Sequence, residues 1–211
     1  MNKVFHREYI YGGVQRILHW WIALAIVFLI TTGYVASILE GGADKAYLWN
    51  WHMILGKILI VGLVARFAWG IFGPHHARFS ALIHLKEWKI SLQTKKAQPA
   101  DSSFGHNPQA SLTYLGLYAM VALMTLSGVA LASILHGDGP LAERLLDDFR
   151  YVSVLQFMHE YIWWGIAGFI LLHVGAFIYH EWHEGIPVAQ SMISGYQYRT
   201  KKGVKNDQKK R

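Results

Sequence analysis

Four apolar runs, each long enough to cross a lipid bilayer, place the strongest limit on what this chain can fold into. They cover approximately Ile17–Leu39, His52–Phe72, Gln109–Leu135 and Val154–Tyr179. Inside a bilayer every backbone N–H and C=O group needs a partner within the protein, so runs of this kind fold as helices. The sequence therefore predicts an all-α membrane protein, with a four-helix transmembrane antiparallel bundle in one domain over residues 1–200.

Two segments outside these runs carry predictions of their own. Leu82–Leu92, in the loop between the second and third runs, has the amphipathic pattern of a short helix lying at the cytoplasmic surface. Residues 201–211 are rich in lysine and are predicted to form a basic, disordered tail.

The distribution of charge along the chain predicts its orientation in the membrane. The net charge is +7, and basic residues cluster at the N-terminus, in the loop between the second and third runs, and in the tail. Acidic residues outnumber basic ones in the first and third loops. Because basic loops stay on the cytoplasmic side, we expect a multi-pass membrane protein. Both termini would lie in the cytoplasm, and the chain would contact lipid rather than nucleic acid.

Histidines inside the apolar runs predict a cofactor site. The chain has no cysteine, which excludes covalently attached c-type haem and thiolate-bound metal. His159 and His173 lie fourteen positions apart in the fourth run, so they share one helix face about 21 Å apart. The predicted orientation pairs His52 with His159 toward the outside, and His19 with His173 toward the cytoplasm. Each pair could supply both axial nitrogens of a haem b, although a single histidine near a helix end is more often an interfacial residue.

Glycine and arginine residues recur at the depths of these histidine pairs. Gly33 lies at the level of the outer pair, where a missing side chain would let a flat macrocycle approach the backbone. Gly56 could likewise make room for a ring. Arg16 and Arg66 lie at the level of the inner pair, where each could neutralise a haem propionate. Close helix packing is the alternative role for the glycines, and snorkelling to the interface is the alternative for Arg66.

Polar residues beside the inner pair are candidates for a quinone site. His106 and Asn107 directly precede the third run, and His180 follows the fourth. Asn107 could hydrogen-bond a quinone carbonyl while His106 or His180 supplies protons. Asn107 could equally be a helix N-cap, since Pro108 follows it.

The order of these motifs resembles that of a known family. The motifs are Arg16-Ile-Leu-His19-Trp20, Thr32-Gly33-Tyr34, His52-x-x-x-Gly56-Lys57, Ala65-Arg66-Phe67, Gly105-His106-Asn107-Pro108, Ser127-Gly128-Val129, the spacing of His159 and His173, and Ser194-Gly195-Tyr196. Over nearly the whole chain they resemble the bacterial cytochrome b561 and nickel–iron hydrogenase cytochrome b family. A more distant resemblance is to the cytochrome b subunit of membrane formate dehydrogenase.

This resemblance implies a dihaem, bis-histidine b-type cytochrome of the bacterial inner membrane, anchored beside a periplasmic redox partner. We expect it to carry electrons from that partner to quinone. The short, acidic outer loops offer little surface for a substrate, so we expect catalysis on the primary donor in another subunit. The expected partner is a nickel–iron hydrogenase, through its iron–sulfur small subunit. Complexes that oxidise formate or sulfur compounds, or that contain multihaem cytochrome c, come next. A stand-alone quinol oxidase is an alternative, and a proton-coupled transporter is an alternative of a different class, since buried histidines also relay protons.

Overall fold

The long helices correspond to the four apolar runs. The computed structural model describes residues 5–85, 88–89, 108–146 and 148–200. Within these residues, four helices are long and apolar enough to cross a membrane, which confirms the predicted all-α, four-helix class. They are α1 (Gly13–Ile38), α2 (Ala43–Phe72), α3 (Pro108–His136) and α4 (Val152–Tyr179). The protein is thus a multi-pass membrane protein.

Helix α2 begins well before the apolar run that predicted it. The run starts at His52, whereas the helix starts at Ala43 and has Asp44 in its first turn. A carboxylate there complements the positive end of the helix dipole. The hydrogen-bonded helix therefore continues past the apolar residues into a polar stretch, a feature that a search for apolar runs does not detect.

Helix α4 has distinct flanking structures at its two ends. A short 3-10 helix, Phe149–Tyr151, precedes it, and the Asp148 carboxylate there accepts hydrogen bonds from the Arg150 side chain at 2.8 and 2.7 Å. These hydrogen bonds lower the pKa of Asp148. A π-helical turn, His180–Glu184, follows α4 and ends at Gly185, whose φ of 64° stops the helix.

The remaining helical pieces are short. They are the 3-10 helices His75–Ala77 and Phe79–Leu82 and the single helical turns Ala142–Leu145 and Ser191–Ser194. The structure describes residues 82–85 and 88–89 of the predicted amphipathic helix Leu82–Leu92. There the Trp88 amide donates to His84 O at 2.9 Å, as in a helical turn. Residues 86–87 and 90–92, like the predicted disordered tail 201–211, lie outside the described residues.

The chain divides into two compact units. The second unit comprises Trp20–Val64 and Leu117–Ile170. Each long helix contributes at least one buried residue to its core: Ala25 of α1, Leu59 and Leu63 of α2, Val121 of α3 and Ile166 of α4. This core holds the four helices together within that unit.

The first unit comprises Met1–His19, Ala65–Gly116 and Leu171–Arg211, and its described part contains a sheet that the sequence analysis did not predict. Strand β1 (Phe5–Tyr9) pairs antiparallel with β2 (Tyr196–Thr200), from Phe5 opposite Thr200 to Tyr9 opposite Tyr196. Two strands this short, at opposite ends of a chain, give no local signal for their pairing.

Gly195 forms the turn that leads into β2. Its φ is 87°, and its carbonyl accepts hydrogen bonds from the amides of Ile10 and Tyr11 at 3.0 and 3.1 Å. Just before it, Ile193 O accepts a hydrogen bond from the Arg16 side chain. This hydrogen bond thus connects the start of α1 to the segment that precedes β2.

Gly195→Ala is expected to lower the free energy of unfolding by about 1–3 kcal/mol, because a non-glycine residue is strained in this backbone conformation. The added Cβ would also lie 2.7 Å from Tyr11 O. Thermal unfolding in detergent measures the change. Gly12→Ala is the matched control, since no described atom lies within 4 Å of a Cβ there. Equal melting temperatures for the two variants would contradict this role of Gly195.

Candidate cofactor site formed by two histidine pairs

The second unit brings His52 and His159 together, as the sequence predicts. His52 lies on α2 and His159 on α4, and both are half-buried. Their ring centroids are 6.2 Å apart, and the ring planes meet at 72°. Two imidazoles on different helices therefore face each other across a gap.

Hydrogen bonds fix the tautomer of His52. Its Nδ1 lies 3.1 Å from Leu29 O and 3.3 Å from the Thr32 hydroxyl. Because a carbonyl oxygen can only accept, Nδ1 carries the proton. The Thr32 hydroxyl donates to Phe28 O at 2.8 Å, so it too accepts from His52. Nε2 is consequently the nitrogen with a free lone pair, available to a metal.

His159 is held in the same way from α3. Its Nδ1 is 3.0 Å from the Ser127 hydroxyl, which itself donates to Met124 O at 2.9 Å. Ser127 thus accepts the Nδ1 proton and leaves Nε2 of His159 available. The sequence analysis gave Thr32 and Ser127 no role. The signal that could have found them is a hydroxyl residue directly before a glycine in two of the apolar runs.

Glycines lie against both imidazoles. A Cβ at Gly33 would be 3.1 Å from His52 Cε1, and a Cβ at Gly128 would be 3.1 Å from His159 Cε1. The immediate neighbour of Gly33 is therefore the imidazole itself. Gly56 differs, because a Cβ there would have no described atom within 4 Å. It faces open space.

That space is a cavity of about 560 Å³ within the second unit. Its lining includes both histidines, and Gly33, Gly56 and Gly128. The rest of the lining is mainly apolar and comes from all four long helices. A cavity of this volume is within the range that proteins use to bind small molecules and cofactors.

The first unit brings together the other predicted pair. The ring centroids of His19, on α1, and His173, on α4, are 6.5 Å apart, with ring planes at 60°. His19 is half-buried and His173 is exposed. Arg16, one helical turn before His19, has a buried Nε with no hydrogen-bond partner among the described residues. A buried guanidinium donor of this kind suits an anionic group.

Arg66 also belongs to the first unit and is buried, with 7% of its surface exposed. Its Nη1 donates to Ala77 O at 3.3 Å, and its guanidinium lies 5.0 Å from the centroid of the Phe79 ring. The alternative of a side chain that snorkels into the interface therefore does not describe this arginine. Arg66 is held inside the unit by the 3-10 segment that follows α2.

Of the three residues predicted to bind quinone, His180 is the one that the structure describes. It begins the π-helical turn after α4, with its ring 5.8 Å from the ring of Tyr179. His106 and Asn107 lie outside the described residues.

The donor set identifies the class of cofactor that fits. Among the described residues, no group of three or more His, Cys, Asp or Glu side chains could hold a metal ion. Two imidazoles per site are too few for a protein-only metal centre, which uses at least three protein ligands. They suffice for a metal that brings its own planar macrocycle and takes two axial nitrogens from the protein. Facing imidazoles, an open glycine and an apolar cavity suit such a group.

Comparisons with known proteins identify the family of this chain. The family profile of prokaryotic cytochrome b561 matches residues 10–195. The chain is 29% identical to a probable Ni/Fe-hydrogenase B-type cytochrome subunit of Azotobacter chroococcum, covering 88% of this chain and 85% of that protein. It is 26% identical to a probable Ni/Fe-hydrogenase 1 B-type cytochrome subunit of Escherichia coli K12, covering 93% and 92%. No solved structure matches it. The chain therefore belongs to the prokaryotic cytochrome b561 family.

Proposed function

We propose that this chain binds two haem b groups, one between His52 and His159 and one between His19 and His173, and carries electrons across the bacterial inner membrane. The observation that carries the proposal is the facing of the rings in each pair, with centroids 6.2 and 6.5 Å apart. A metal–imidazole bond is about 2 Å long, and a ring centre lies about 1 Å beyond its nitrogen. Two axial imidazoles on one iron therefore have centroids about 6 Å apart, close to both separations.

The chain's own residues would hold each haem and ligate its iron. A haem b supplies reversible one-electron chemistry when bound. Thr32 and Ser127 orient the imidazoles of the His52–His159 pair through Nδ1. Arg16 and Arg66 suit the propionates of the group at the His19–His173 pair, because both are cationic residues of the same unit. With both axial positions taken by histidine, we expect an electron carrier that does not bind oxygen.

We propose a nickel–iron hydrogenase, through its iron–sulfur small subunit, as the periplasmic partner. The support is that the relatives described above carry the name of Ni/Fe-hydrogenase B-type cytochrome subunit. Complexes that oxidise formate or sulfur compounds, or that contain multihaem cytochrome c, are the alternatives. Purification in a gentle detergent distinguishes these complexes from a stand-alone quinol oxidase. The complexes would co-purify with a partner, whereas the oxidase would retain haem and purify alone.

We propose quinone as the electron acceptor on the cytoplasmic side, where the positive-inside rule would also place both termini. His180 belongs to the same unit as His19 and His173, so a proton-carrying residue is available in that unit. Asn107 and His106 complete the proposed site.

Purified protein is expected to contain two haem b per chain in a pyridine haemochrome assay. His159→Ala and His173→Ala should each leave one, because each removes an axial ligand of a different group. His136→Ala, at the end of α3, belongs to neither pair and should retain both. One haem per chain in the unmodified protein, or full haem content in His159→Ala, would contradict the proposal. The absence of any b-type absorption would instead favour a transporter.

Thr32→Val and Ser127→Ala are each expected to weaken retention of the haem at the His52–His159 pair by about 10–100-fold, since residues that orient metal-ligating histidines have effects of that size. Transfer of haem to excess apomyoglobin measures retention. Thr31→Val is the matched control, because the Thr31 hydroxyl also donates to the backbone, to Val27 O at 2.8 Å, but has no described contact with a histidine. Unchanged transfer rates in both test variants would exclude this orienting role.

Asn107→Asp is expected to abolish most quinone reduction while both haems remain reducible by the partner, because aspartate keeps the capping oxygen and removes the amide donor. Quinone reduction by the purified complex and its inhibitor sensitivity measure the effect. Wild-type rates with unchanged inhibition would place the quinone site elsewhere.

A further inference from the structure

The cavity beside His52 and His159 contains a charged pair to which nothing above assigns a role. Among the described residues that line this cavity, Lys57 of α2 is the one lysine or arginine. Its ammonium nitrogen lies 2.8 and 2.7 Å from the two carboxylate oxygens of Asp138, which also lines the cavity. Ionisable side chains within membrane-spanning helices are costly, and they commonly mark functional sites.

The turn that carries Asp138 is firmly held. The Asp138 amide donates to Ala132 O at 3.2 Å, and its carbonyl accepts from the Ser133 hydroxyl at 3.1 Å. Ser133 is fully buried. Gly137 and Gly139, on either side, have φ values of 61° and 112°, which glycine adopts without strain. The backbone that carries this carboxylate is therefore anchored, and the longer lysine side chain is the more adaptable partner of the pair.

Lys57 keeps a donor for a further ligand. An ammonium group has three N–H donors, and the two oxygens of Asp138 account for two of them. The lysine side chain is 57% exposed, so the ammonium remains accessible. Besides the two histidines and Tyr34, the other ionisable residues that line the cavity are acidic: Asp138 and Glu160. An anionic substituent entering the cavity therefore has one cation to bind.

We propose that Lys57 binds a carboxylate substituent of the group held between His52 and His159, and that Asp138 positions its ammonium. This inference rests on the proposed function, under which that substituent is a haem propionate. Because Lys57 is the one lysine or arginine among the described residues of the lining, it would favour binding with the carboxylate edge of the group toward the Asp138 turn. It would be the counterpart, in the second unit, of the arginines in the first.

The test compares haem b with its dimethyl ester, in which both carboxylates are blocked. Full-length protein purified from haem-depleted cells is titrated with each compound in detergent, and the binding phase that His159→Ala removes reports this site. Unmodified protein should bind haem b about tenfold more tightly than the diester, the usual size of one charge-assisted hydrogen bond. Lys57→Met should bind the two equally, and Lys57→Arg should restore the preference.

Two controls separate this role from a structural one. Lys45→Met, on the same helix, removes a lysine that donates to Leu39 O at 2.9 Å and does not line this cavity, so the preference should persist. Asp138→Asn should reduce the preference without abolishing it, since the ammonium stays. If Lys57→Met and Asp138→Asn each weaken the binding of haem b and of the diester by the same factor, the pair only stabilises the turn. That result would overturn the inference.

The comparison in unmodified protein needs no variant. If it binds haem b and the diester equally at this site, the inference is wrong while the proposed function stands. If it binds no haem b at all, the proposed function is wrong, and the inference is overturned with it.

Discussion

A histidine inside an apolar helix has two ring nitrogens, and each needs a hydrogen-bond partner or a metal. The structure depends on which partner each nitrogen has. For His52 and His159, Nδ1 is taken by a backbone carbonyl or a hydroxyl group of a neighbouring helix. This leaves the lone pair of Nε2 for a metal or a hydrogen-bond donor, and both histidines line the cavity. The same hydrogen bonds that satisfy Nδ1 inside the bundle therefore also hold each ring in one orientation.

One arrangement serves both histidines of the second unit. On α1, Thr32 accepts the Nδ1 proton of His52 and Gly33 makes room for its ring. On α3, Ser127 and Gly128 do the same for His159. A hydroxyl residue followed by glycine thus accepts a hydrogen bond from the histidine and leaves room for its ring to approach the backbone. The glycine matters because a Cβ in its place would lie 3.1 Å from the imidazole and crowd the ring.

The four apolar runs predicted the long helices, because membrane span length and apolar composition are properties of contiguous sequence. The direction of each helix, predicted from loop charge, together with depth from the fixed helical rise, was also enough to predict which histidines lie together. Pairing of β1 with β2 could not be predicted, because it joins opposite ends of the chain. The early start of α2 was missed because its first residues are polar, and the search followed apolar runs. The contacts of Thr32, Ser127 and Lys57 join different parts of the chain, so no single run predicts them.

The measurement that tests bis-histidine ligation most directly is electron paramagnetic resonance of the frozen, oxidised protein. Two strong-field imidazoles on each iron predict low-spin ferric signals that account for all the haem, unchanged by added azide because both axial positions are closed. A high-spin signal from a substantial fraction of the haem, or conversion of the spectrum by azide, would contradict paired ligation by His52 with His159 and His19 with His173.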